Sequence, residues 1–155
     1  MTDLAHRVFR VDDPLYRSTL ALRHAVLREP LGLQFSESDL AAERDDEHHA
    51  WVTDDGVIAC LSMRAVSSNQ HGSTTWKLRQ MAVRSDTRGR GIGARLLRAA
   101  VAMHPPPDQI QLHARLEAVG FYERVGFRTE GPIFEEIGLP HIVMRMVAPE
   151  QAADD

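Results

Sequence analysis

The hexapeptide Arg88-Gly89-Arg90-Gly91-Ile92-Gly93 constrains this chain more than any other segment. It separates a strand-like run, residues 75–83, from a helix-like run in which Ile92, Leu96, Ala99 or Ala100 and Met103 recur at helical spacing. Three glycines within five residues let consecutive backbone N–H groups converge on a small anion, and the head of the helix adds about half a positive charge. Neither named nucleotide template fits, because the Walker Gly-Lys-Ser/Thr is missing and the spacing falls one residue short of GxGxxG. A plain glycine-rich turn is the bland alternative.

The strand that feeds this loop changes phase. Trp76 and Leu78 hold even positions, while Met81 and Val83 hold odd ones. A one-residue slip turns the buried face outward unless an extra residue is absorbed, and a β-bulge absorbs it. Such a bulge leaves ladder amides free and splays the neighbouring strand. A strand buried on both faces would give the same pattern.

Around this unit the chain alternates strands and helices. HRVFRV (6–11) reads as a strand, and Pro14 opens a helix to about His24 with Leu15, Leu22, Val26 and Leu27 on its apolar side. Residues 29–47 read as a loop with one helical turn near Ser38 to Ala42. Two strands follow, His48 to Thr53 and Val57 to Val66, joined by a hairpin at Asp54-Asp55-Gly56. The glycine-loop helix stops at His104-Pro105-Pro106-Pro107, since proline has no N–H to donate and clashes with the preceding turn. Ile110, Leu112 and Ala114 alternate as a strand, and Glu117 to Arg124 form a short helix ended by Gly126. Strands at Phe127 to Glu130 and Ile142 to Val147 flank a loop holding Gly131-Pro132, Gly138 and Pro140. The expectation is a single α/β domain over residues 1–148 with a mixed sheet, and a disordered tail at 149–155.

Composition excludes several classes. With 43% hydrophobic and 26% charged residues the chain is neither disordered nor low in complexity. No run approaches the roughly 20 apolar residues of a membrane span, and MTDLAHRVFR has no apolar secretory core. The lone Cys60 can form neither an internal disulfide nor a metal cage, so a reduced cytoplasmic setting is expected. Of eight histidines none is paired at i, i+4, and His48 and His49 point to opposite faces of a strand, so no metal is expected. A net charge of −4 argues against nucleic acid as a partner.

That sum hides a local contrast. Residues 37–55 hold eight acids against Arg44, while residues 76–98 hold seven bases against Asp86. A basic segment inside an acidic protein points to a localised anion site. The acidic segment would suit a cationic partner, and two solvated faces are the bland alternative.

These residues resemble the GNAT N-acetyltransferase superfamily. Its pyrophosphate loop reads Gln/Arg-x-x-Gly-x-Gly/Ala, which Arg88 to Gly93 match throughout. Leu78, Met81 and Val83 are similar to the family's bulged strand. Leu112-x-Ala114 followed by Ala118-x-x-Phe121-Tyr122-x-x-x-Gly126-Phe127 is similar to its strand and "Tyr-x-x-x-Gly-Phe" helix. Weaker likeness extends to Leu22-Arg23-x-x-Val26, and Gly138-Leu139-Pro140-His141-Ile142-x-Met144 resembles the last strand of the ElaA-like branch. One departure stands out: many members carry Asn seven residues before the tyrosine, to hold the pantetheine, and here that position is Arg115.

The resemblance implies a GNAT-type fold with a six- or seven-stranded sheet flanked by about four helices. It implies acetyl transfer from acetyl-CoA to a primary amine of a small molecule or peptide, by direct attack in a ternary complex. The cofactor would lie on Met81, Ala82, Val83 and the loop Arg88, Gly89, Arg90, Gly91, Ile92 and Gly93, with bulge amides near Met81 and Ala82 facing the oxyanion. Tyr122 occupies the position that donates to the departing thiolate. A tyrosine at about 10 faces a thiol at about 8.5, so full proton transfer runs uphill by about 2 kcal/mol and Tyr122 serves as a hydrogen-bond donor unless its pKa is lowered. The general base stays open among His113, His141, Glu135, Glu136, Glu47, His48 and a water chain. A homodimer is a further expectation of the resemblance alone. A catalytically idle acyl-CoA-binding or sensor module is the competing reading, and the retained tyrosine argues against it.

Overall fold

A computed structural model describes residues 4–146. Seven strands form one mixed sheet in the order β1-β2-β3-β4-β5-β7-β6. They are β1 (Ala5–Phe9), β2 (Glu47–Thr53), β3 (Gly56–Ser68), β4 (Thr74–Val83), β5 (Gln109–Arg115), β6 (Phe127–Glu136) and β7 (Leu139–Met146). Four α-helices accompany them: α1 (Leu15–Arg23), α2 (Glu37–Ala41), α3 (Ile92–Ala102) and α4 (Val119–Val125). β4 and β5 run parallel, and the pairs β1–β2, β2–β3, β5–β7 and β6–β7 are antiparallel. The expected α/β fold with seven strands and four helices is therefore what the chain adopts.

Within the described range the chain divides into two compact units. The first combines the segment ending at Arg64 with Arg79–Ala100, and the second combines Ala65–Leu78 with the segment from Val101 onward. In the first unit Phe9, Leu22, Ala50, Val57, Cys60 and Ala82 form a buried cluster against which Leu15, Tyr16, Val26, Leu27 and Val52 pack. Leu15, Leu22, Val26 and Leu27 are the apolar stripe expected of the first helix, which continues past α1 as a π-helical turn, His24–Arg28. Each such aliphatic side chain contributes about 1.5–3 kcal/mol when fully buried. Ser36 starts α2 through a complete capping box with Asp39.

In the second unit the alternation of β5 holds: Ile110, Leu112 and Ala114 are buried, with Phe127 and Met144 beside them in the core. Trp76 donates its indole N–H to Asp108 Oδ2 at 3.1 Å, and Asp108 Oδ1 accepts from Thr74 N at 2.9 Å. Gly126, at φ 118, ends α4 as expected.

Two boundaries differ from the sequence expectation. Gly131-Pro132 lies inside β6 and Pro140 inside β7, leaving Ile137-Gly138 as the whole hairpin turn. β6 is an edge strand, so the N–H that Pro132 lacks costs no ladder bond, and the β6–β7 register shifts between Glu130 and Phe134 to absorb Gly131 at φ 78. The strand expected at 6–11 ends at Phe9, because Asp13 N donates to Arg10 O and turns the chain. Val147 and the tail 149–155 lie outside the described residues.

Candidate functional site

In the first unit, β4 runs on from Thr74 to Val83 but is irregular at Gln80, where the sequence changes phase. Gln80 takes φ 56, a left-handed conformation that non-glycine residues rarely adopt, and its side-chain Oε1 is buried with no hydrogen-bond partner among the described residues. Beyond Gln80, Ala82 is the core residue, and Met81 and Val83 are half-buried. The alternation concealed this, because alanine carries little apolar signal beside methionine and valine.

The chain then turns into the loop. Thr87 N and Oγ1 both donate to Arg84 O, at 3.0 and 2.8 Å, closing a tight turn, while Arg84 N donates to Ile58 O at 2.8 Å. Gly89 and Gly91 adopt φ 83 and 73 on either side of Arg90. Alternating handedness of this kind points successive N–H groups inward to form an anion-binding nest. A methyl group built on either glycine meets nothing within 4 Å, so the backbone angle and not lack of space calls for glycine.

α3 begins at once, with Arg95 N donating to Gly91 O at 3.0 Å as its first helical bond. The amides just before it have no intrahelical acceptor, by the geometry of every helix start. Trp51 of β2 anchors this turn: its indole N–H donates to Ile92 O at 3.0 Å, and the Arg95 guanidinium stacks 5.6 Å over its ring. Ile92 and Gly93 are buried, whereas Arg88, Gly89, Arg90 and Gly91 are exposed. Arg88 Nε reaches back to Val83 O at 3.3 Å. Trp51 is a contributor that sequence reading missed; an indole in an apolar strand gives no sign of which carbonyl it will find.

Of the eight acids in the 37–55 segment, Asp39, Glu43, Asp46 and Glu47 are committed. Glu43 is buried and binds Arg23 through both oxygens, with Tyr16 Oη donating to Oε1 at 2.9 Å. Burial alone would raise the Glu43 carboxyl, but Arg23, Tyr16 and His48 together hold it below the usual range. Asp46 is buried between Arg64 and Arg79, Asp39 caps α2, and Glu47 bonds His49 Nε2 at 2.6 Å. His48 is buried between Phe9 and Tyr16 with an unpartnered Nε2. Burial lowers its pKa, Glu43 opposes that shift and Arg23 adds to it.

In the second unit, Tyr122 is buried on α4 with its ring edge-on to Phe121 and Phe127, at 5.1 and 5.9 Å between centroids. Burial pushes its hydroxyl up to about 12, and the charge of Arg115 pulls weakly the other way. Three of the candidate bases come together here. His113 Nδ1 lies 2.8 Å from Glu136 Oε1, and His141 Nε2 lies 3.8 Å from Glu136 Oε2. His141 Nδ1 is bonded to Leu139 O at 2.8 Å, and Phe134 stands edge-on to His113 at 5.0 Å. Burial would raise the Glu136 carboxyl, but the His113 hydrogen bond and the charges of His113, Lys77 and His141 hold it below its ordinary value. Glu135, one residue away, is exposed.

Residues 28–148 match the acetyltransferase (GNAT) domain family. The chain is 30% identical over 149 residues to the UPF0039 protein Rv2851c of Mycobacterium tuberculosis, covering 93% of both chains. It is also similar in structure to ElaA of Escherichia coli, with a TM-score of 0.77 at 20% identity over 94% of this chain and 100% of that one. An acyl-CoA N-acyltransferase from Pseudomonas aeruginosa gives a TM-score of 0.75 at 23% identity, again over 94% and 100%.

Proposed function

Because the chain belongs to the GNAT acetyltransferase family, we propose that it is an acetyl-CoA-dependent N-acetyltransferase that acetylates a primary amine by direct attack in a ternary complex. The observation that carries this reading is the pair of left-handed glycines, Gly89 and Gly91, at the head of α3. That nest, with Arg88, Arg90 and Arg95 close by in sequence, suits a pyrophosphate. Amides from the irregular part of β4, at Met81 and Ala82, would receive the oxygen that turns anionic during transfer, and Val83 would extend the cradle along the acyl-carrying arm.

The second unit supplies the proton chemistry in this reading. In its neutral form His113 donates from Nδ1 to Glu136, which leaves the lone pair on Nε2. His113 then takes the proton of the ammonium and so frees the amine to attack, as an imidazole oriented by a carboxylate does elsewhere. Tyr122 keeps its own proton. With its hydroxyl pushed to about 12 against a thiol near 8.5, full transfer would run uphill by about 5 kcal/mol, so Tyr122 stabilises the departing sulfur by hydrogen bonding alone. This strengthens the restriction already expected from ordinary pKa values. Acetyl-CoA, when bound, supplies the activated acyl group.

The test is thiol release from acetyl-CoA across amines and peptides, with Tyr122→Phe as the probe. Turnover should fall at least tenfold in the variant while the acetyl-CoA dissociation constant moves less than threefold. Equal losses in both would remove Tyr122 from its role. Saturable thermal stabilisation by acetyl-CoA without thiol release from any amine would leave a binding module instead of an enzyme.

A further inference from the structure

Within the second unit, one carboxylate serves two imidazoles. His113 Nδ1 lies 2.8 Å from Glu136 Oε1, and His141 Nε2 lies 3.8 Å from Glu136 Oε2. The sheet brings the three together: β7 lies between β5 and β6, with His141 opposite Arg115 on one side and Phe134 on the other. The Phe134 ring lies against both histidines, 5.0 Å from His113 and 6.0 Å from His141 between centroids. The connecting turn is only Ile137-Gly138, both left-handed at φ 47 and 76, and it sets Glu136 opposite Leu139. A β-branched residue seldom adopts that conformation, so the surrounding structure holds the turn in place.

The hydrogen bonds fix where each ring carries its proton. Leu139 O can only accept, so His141 Nδ1, 2.8 Å away, is the donor. Glu136 is held below its ordinary value and is ionised near neutral pH, so it too can only accept, and His113 Nδ1 is the donor. Each ring therefore gains or loses its second proton at Nε2. For His141 that atom faces Glu136 Oε2, and the side chain is only 4% exposed. A lone pair there meets a negative oxygen, whereas an N–H cation is attracted to it. The same carboxylate stabilises a cation on His113, so a proton on either ring weakens its hold on the other. Lys77 of β4 also acts on Glu136, and Arg115 of β5 stands opposite His141. Histidine is the side chain that titrates near neutral pH, so those two charges form a constant background.

Resting on the acetyltransferase reading above, with His113 as its base, we propose that His141 is a positioning residue that acts through Glu136. A proton on His141 Nε2 offsets part of the carboxylate's charge. His113 then stays free to take the acceptor's proton at lower pH than a histidine alone with that carboxylate would. His141 touches neither acceptor nor cofactor in this scheme; it sets the acid end of the activity range.

The experiment begins with side-chain NMR of the wild-type chain, following the ring nitrogens of His113 and His141 from about pH 5 to about pH 8. Both neutral rings should carry their proton on Nδ1, and they should titrate in linked steps, each sensing the other. His141→Asn keeps an N–H for Leu139 O. In that variant the His113 midpoint should rise by at least about half a pH unit. The acid limb of kcat/KM should rise with it, while kcat/KM above the limb stays within about threefold. The rise should disappear when His141→Asn is combined with Glu136→Gln. Unlinked titrations, a neutral His141 protonated on Nε2, or a loss of activity equal at every pH overturns the proposal. So does a His113 midpoint that rises while the acid limb stays in place, since another group then serves as the base. Linked titrations with the midpoint rise, but no thiol release from any amine, would uphold the coupling through Glu136 and overturn the transferase reading.

Discussion

His48 is a histidine whose neutral form folding favours. Its ring is buried against Phe9 and Tyr16, and burial lowers its pKa below the ordinary 6.5. His6 shifts the same way, through burial and the nearby His49, with Glu47 opposing. As the pH falls through about 6.5 the unfolded chain takes up protons that the folded chain refuses, so stability drops until the folded-state pKa values are reached. Each such group contributes a slope of at most about 1.4 kcal/mol per pH unit. Urea melts at pH 7.5, 6.5 and 5.5 should show this decline, and His48→Gln should flatten it. A slope unchanged by that variant would show that His48 titrates freely in the folded protein.

At this scale the sequence was least informative. His113, Glu136 and His141 each looked like one solvated group among several, and only the pairing of β5 and β6 with β7 brings them together. Arg23 shows the opposite. It sits beside Leu22 in the apolar stripe of α1, a position where an arginine demands a buried partner, and Glu43 lies 20 residues on with no sequence signal that joins them.

The loop-and-helix element was legible almost entirely, because a left-handed turn has a chemical requirement that shows in the letters: Gly89 and Gly91 take φ 83 and 73. Gly91→Ala tests that requirement. A side chain in left-handed backbone costs roughly 1–2 kcal/mol, and relief of the strain would turn the nest amides away. Calorimetric titration with CoA should find the dissociation constant raised about tenfold or more. Tight binding retained in Gly91→Ala would separate the cofactor from this loop. The β6–β7 hairpin was misread for the complementary reason. Gly131-Pro132 signals a turn by composition, yet an edge strand tolerates both residues, and edge position is a property of the sheet that no local window contains.

For the whole molecule, charge became intelligible only once pairing was known. The acid-rich and base-rich segments read as two opposed fields, but Asp46 of one is held beside Arg79 of the other, and Arg84 pairs with Asp55 and Asp86. Binding of the cofactor should couple to global stability in the ordinary way. At a CoA concentration of a hundred dissociation constants the gain is about 2.7 kcal/mol, a rise in Tm of about 5–10 °C for a chain of this size. Scanning calorimetry against CoA concentration checks it, and a flat Tm would count against any specific CoA site.

The two units are interleaved along the chain, since residues 65–78 of one are enclosed by segments of the other. Neither can be excised as a contiguous fragment. A nascent chain halted after residue 100 would hold every segment of the first unit, yet would carry residues 74–78 of β4 before their β5 partner had been synthesised. Ribosomal synthesis therefore leaves half of β4 without that partner until β5, residues 109–115, has been made. A split-protein reporter or a domain graft cut at either unit's border would inherit the same orphaned edge.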